Sequence, residues 1–130
     1  MRKIIFFFAL ILALPLILKA QNNYDIVKGG IVRMQKDIKN IYIVFTGHEF
    51  ADGGAHIYKT LKKHRVKSSF FFTGDFYRNK KFQSIIIKLK NAGHYLGAHS
   101  DRHLLYCDWT KRDSTLVSKD SFMVDLEQNY

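Results

Sequence analysis

Two histidines, His99 and His103, stand four residues apart in the run HSDRH. At that spacing two imidazoles lie on one face of a helical turn and can share a divalent ion. One carboxylate would complete a two-histidine, one-carboxylate site with positions left open for water and substrate. A third histidine, His48, lies with Glu49 and Asp52 in the run FTGHEFADG over residues 45–53. The remaining histidines, His56, His64 and His94, read as surface or boundary residues. Cys107 is the chain's single cysteine, which leaves no pair for a disulfide or a zinc knuckle. It reads as a small, partly buried hydrophobe.

The elements that must position these residues follow from periodicity. Residues 41–46 (IYIVFT) are β-branched and aromatic and apolar on both faces, as a buried parallel strand is. Gly53 and Gly54 open a helix to about His64, striped by Ile57 and Leu61. Residues 66–73 (VKSSFFFT) form the next strand, and Phe82, Ile85, Ile86 and Leu89 recur at helical spacing until Gly93 caps them. Residues 94–99 (HYLGAH) form a third strand, and Ser118 caps a final helix with Phe122 and Leu126 on its inner face. Gly29-Gly30 begins a short β segment before all of these. Alternation of this kind predicts an α/β fold with a parallel sheet. Active sites in such folds gather at the carboxyl ends of the strands. Here those ends are 46–49, 73–75 and 99–103, and all three carry polar or metal-capable residues. Tyr106 and Trp109 lie just beyond and are expected to pack in the core rather than against a sugar ring.

Composition bounds the rest. A chain of 130 residues with 47% apolar content holds one small packed domain and is not disordered. Arg2 and Lys3, the apolar run 4–18 and the Ala20-Gln21 junction read as a signal peptide over residues 1–20, with the domain over 21–130. That predicts a secreted or periplasmic protein without stable membrane insertion after cleavage. Removing Arg2, Lys3 and Lys19 lowers the net charge from +10 to +7. Lysines such as Lys59, Lys62, Lys63, Lys67, Lys88 and Lys90 are scattered over helix faces, so the charge reads as a solvated surface and not as a nucleic-acid interface.

Three segments together resemble the NodB-type polysaccharide deacetylase family. Residues 66–74 (VKSSFFFTG) are similar to that family's buried strand after its first helix, and 99–103 match its HS-x-x-H metal motif. Residues 45–53 stand where the family has T-F-D-D-G. The resemblance implies a partial (β/α) barrel with parallel strands and flanking helices. It also implies a metal-dependent hydrolase acting on acetylated polysaccharide, with Zn²⁺, or Co²⁺ or Ni²⁺, as cofactor. The family's first Asp is its base and its second a metal ligand; aligned on Thr46 these positions hold His48 and Glu49. A longer loop would bring Asp52 to the metal instead, since Asp52-Gly53 restores the motif's ending. The implied site is therefore His48 as base, a role that an imidazole titrating near neutrality suits, or else as a hydrogen-bonding group that orients a ligand, with Glu49 or Asp52, His99 and His103 as ligands. The family continues with Arg-Pro-Pro, Asp-and-Trp and Leu-x-x-His motifs, so the resemblance implies its N-terminal part. The expected function is N- or O-deacetylation by a truncated fragment, active or inactive, with glycan binding by a non-catalytic pseudoenzyme as the alternative.

Overall fold

A computed structural model describes residues 24–34 and 39–129. The expected signal peptide lies outside the described residues. The chain divides into two compact units, residues 1–40 and 41–130. In the first, β1 (Asp25–Val27) and β2 (Gly30–Arg33) form an antiparallel hairpin. Lys28 and Gly29 turn it with positive φ angles of 49° and 81°, the left-handed pair that a two-residue hairpin requires. The sequence signalled β2 but not its partner.

The second unit carries β3 (Val44–Gly47), α1 (Gly54–His64), β4 (Ser69–Phe72), α2 (Gly74–Arg78), α3 (Gln83–Asn91), β5 (Tyr95–Ala98) and α4 (Lys119–Glu127). Its sheet has the order β3-β4-β5 and is parallel throughout, with Val44 opposite Ser69 and Ser69 opposite Tyr95. The expected alternation of strands and helices is therefore present. The sheet has three strands among the described residues and does not close on itself there.

Alternation along β4 sends Phe70 and Phe72 to one face, where they meet Leu61 of α1, Phe76 of α2, and Ile86 and Leu89 of α3. Phe72 stacks on Phe76 with ring centroids 4.2 Å apart, and Phe45 stacks on Phe70 at 5.0 Å. Phe71 points to the other face, against Tyr95. The strand expected over 41–46 is shorter and begins at Val44. It is also less buried than its composition predicts: Val44 is exposed because β3 is an edge of this sheet. Both helix caps read from the sequence are present, Ser118 Oγ accepting the Ser121 N–H and Gly93 turning with φ 75°. The inner face of α4 differs from expectation. Phe122 and Leu126 are only partly covered, and the buried residue is Asp125.

His94 also departs from its expected boundary position. It is buried against Phe70, and its Nδ1 accepts the Ser68 N–H at 3.2 Å. Burial, reinforced by Lys67, lowers its pKa from the ordinary 6.5. The folded chain thus binds a proton here less readily than the unfolded chain. Stability from this group is complete above pH 6.5 and is lost as pH falls below that value toward the folded pKa. Urea denaturation at pH 7.5 and 5.5 is expected to give lower stability at the acid pH. The difference should be smaller in His94→Leu; an unchanged difference would place the pH dependence elsewhere.

Candidate functional site

The three strand ends meet on one side of the sheet. Beyond β3 the chain continues into His48, beyond β4 into Thr73, and beyond β5 into His99. Backbone bonds prolong the ladder across all three: Thr73 N–H donates to Gly47 O at 3.1 Å and His99 N–H to Phe72 O at 3.0 Å. This extension fixes where each functional side chain leaves the backbone.

Three imidazoles converge there. The rings of His99 and His103 lie 5.1 Å apart and tilted by 53°, and His48 stacks on His103 at 4.8 Å and 22°. Tilted rings can turn their in-plane lone pairs toward one point, whereas stacked rings cannot. The tilted pair is His99 and His103, and His48 stands beside it. Burial lowers the His99 pKa from the ordinary 6.5, and the neighbouring His103 and His48 lower it further. The segment joining the two histidines differs from the helical turn expected of their spacing. It is a non-helical loop in which Ser100 and His103 have φ angles of 60° and 57°. The imidazoles come together because the loop doubles back, not because a helix brings them round.

His48 is held through one ring nitrogen. Its Nδ1 lies 3.1 Å from the hydroxyl of Thr73, a fully buried residue that also accepts the Phe76 N–H and so caps α2. A hydroxyl has two acceptor positions, so it can take Nδ1–H beside the Phe76 N–H and leave Nε2 unprotonated. Nε2 lies 3.8 Å from the Glu49 carboxylate. Glu49 itself is largely exposed, with room to move toward the histidines. Asp52 lies elsewhere, lining a largely apolar cavity of about 210 Å³ with Phe45, Phe50, Ile57 and Phe72. Among the described residues, no three of His, Cys, Asp or Glu are arranged to hold a metal ion. The donor types nevertheless fit a divalent cation: a tilted imidazole pair, with one carboxylate adjoining the cluster.

Trp109 is not in the core, contrary to expectation. It is 73% exposed, with the Arg112 guanidinium 5.0 Å over its ring. Tyr106 also lies outside the core cluster, half-buried against Phe122 at 4.8 Å, and Cys107 is half-buried as expected. Sequence reasoning missed the ion pair of Arg78 with buried Asp101 and the role of Asp125. One signal was available: Asp125 and Asn129 fall three and seven residues after Phe122, on the face expected to be apolar.

Residues 33–128 match the profile of the polysaccharide deacetylase family. Over 65 residues the chain is 34% identical to the peptidoglycan-N-acetylmuramic acid deacetylase PdaA of Bacillus subtilis (strain 168), covering 50% of this chain and 24% of that protein. The crystal structure of a peptidoglycan N-acetylglucosamine deacetylase superposes with a TM-score of 0.51 at 23% identity, covering 68% of this chain and 37% of that one. The chain thus spans about a quarter of the first relative and somewhat over a third of the second.

Proposed function

The chain belongs to the polysaccharide deacetylase family, and from that premise we propose that its strand-end histidines serve metal-assisted removal of N-acetyl or O-acetyl groups from a polysaccharide. The observation that carries this reading is the meeting of His48, His99 and His103 from two strand ends and one loop. In the proposal His99 and His103 hold the ion with Glu49, the carboxylate nearer the cluster; Asp52 is the alternative ligand. Zn²⁺ suits these donors, and Co²⁺ or Ni²⁺ would substitute. Such an ion polarises an acetyl carbonyl and acidifies water. His48 takes a proton on Nε2 while Nδ1–H donates to Thr73, which keeps the ring oriented through the transfer. Where Asp52 is the ligand instead, Glu49, beside Nε2, is free to stabilise the imidazolium that results.

The substrate class is an acetylated glycan of the cell envelope, as the names of the two relatives suggest. Export by residues 1–20 belongs to the same proposal, since such a substrate lies outside the membrane. So does the reading of the three-stranded sheet as part of a (β/α) barrel. A second reading, a non-catalytic glycan-binding protein, draws support from the stacked His48 and from the absence of a three-ligand group among the described residues.

Acetate release from acetylated chitooligosaccharides and from peptidoglycan, with Zn²⁺ supplied, separates the two readings. The enzyme reading expects release that chelation abolishes. A general base contributes about 10²–10⁴-fold, so His48→Ala should reduce the rate by that order while zinc still binds. Glycan binding without acetate release, in this chain and in a version extended to its relatives' length, would favour the second reading.

A further inference from the structure

The loop between the two histidines adopts an uncommon backbone. Ser100 and His103 both lie in the left-handed region, which side-chain-bearing residues keep only where their surroundings over-determine it. The surroundings here come from two sides. From α2, Arg78 Nη1 and Nη2 donate to the two Asp101 carboxylate oxygens at 2.6 and 3.0 Å. The Gly74 and Asp75 N–H groups donate to the Ser100 and Asp101 carbonyls, each at 3.1 Å. Gly74 cannot be larger, because a Cβ there would overlap Asp101 Oδ1.

From α4 comes Asp125, and from the turn that follows it Asn129. Asp125 is 3% exposed, and its carboxylate accepts the Arg102 N–H at 2.9 Å, the Asp101 N–H at 3.2 Å and the Tyr106 hydroxyl. These donors lie on both sequence sides of His103. Asn129 Nδ2 donates to Phe72 O at 3.1 Å and to Ser100 O, tying the loop to the end of β4. An apolar residue at position 125 would fill the helix face without the cost of desolvating a carboxylate. All the side-chain acceptance of Asp125 is spent on the segment that flanks His103.

We propose that Asp125 and Asn129 are positioning residues, which from α4 and the turn after it set the backbone of residues 100–102 and with it the separation of the His99 and His103 imidazoles. The inference rests on the reading that these two histidines share a metal ion. The test uses the full chain and Zn²⁺ alone as probe, followed by calorimetry, with amide hydrogen exchange and circular dichroism alongside. Asp125→Asn keeps the size but leaves one oxygen to serve donors that now need two. It is expected to weaken zinc about 10–100-fold, the usual effect of losing a group that orients a ligand. Exchange at Asp101, Arg102 and His103 should accelerate while helix content holds. Asn129→Ala should do the same to a smaller degree, and it carries the test if Asp125→Asn does not fold. Asp120→Asn, on the exposed first turn of α4, is expected to change neither. Wild-type zinc affinity in both Asp125→Asn and Asn129→Ala, or an equal loss in Asp120→Asn, would overturn the proposal. If the wild-type chain binds no zinc, the shared-ion reading fails by itself. Exchange then decides: faster exchange in the variants upholds the positioning role and unchanged exchange overturns it.

Discussion

Replacing His103 with alanine is expected to lower zinc affinity by at least about 100-fold, beyond what loss of an orienting group produces. His103 is the central ring of the cluster, within 5.1 Å of His99 and 4.8 Å of His48, so no neighbour supplies a substitute at that place. His99→Ala should lose a similar amount, while His56→Ala, exposed on α1, should lose none. Imidazoles bind metal only when deprotonated, so wild-type affinity should also fall between pH 7.5 and 5.5. Calorimetric titration of the four proteins at both pH values measures all of this. Equal affinity in wild type, His99→Ala and His103→Ala would remove the site.

The second large effect concerns the core. Leu89→Ala is expected to cost about 2–5 kcal/mol, the range for truncating a fully buried leucine. Leu89 is 1% exposed and belongs to a cluster of six buried hydrophobic residues. Small domains carry only about 5–15 kcal/mol of net stability, so this one change removes a large share of it. Ile87, two residues earlier on the same helix, is 51% exposed, and Ile87→Ala should cost about 0.5 kcal/mol or less. Urea midpoints read by circular dichroism give both values. Similar losses at the two positions would mean that α3 does not face the sheet as described.

Helix and strand identities were legible because each depends on a short-range pattern. The stripe of Phe82, Ile85, Ile86 and Leu89 needs only a 3.6-residue period, and Gly93 only its tolerance of positive φ. The strand ends could be located for the same reason, and with them the meeting place of His48 and His99. Residues whose surroundings are set by partners far along the chain were not legible. The exposure of Val44 depends on which strand lies beside it, and no property of residues 41–46 states that. The burial of Asp101 depends on Arg78, 23 residues away, and that of Asp125 on a loop more than 20 residues earlier. The His99–His103 spacing pointed to two imidazoles that do lie close together, but on a different backbone from the one expected. A four-residue interval brings side chains together in a helix, and also in a loop with two left-handed residues.

His48, Thr73 and His99 each follow a different strand of one parallel sheet, and the bond from His48 to Thr73 spans 25 positions. Parallel neighbours cannot be joined by a tight turn, so each pairing waits on closure of a long loop, the slow event in folding such topologies. The imidazole cluster consequently does not exist in any half-folded chain that lacks one of the two crossovers. A cation that recognises the cluster recognises the completed fold alone. Occupancy and folding then form a single linked equilibrium, and an ion at a hundred times its dissociation constant would deepen the native well by about 2.7 kcal/mol.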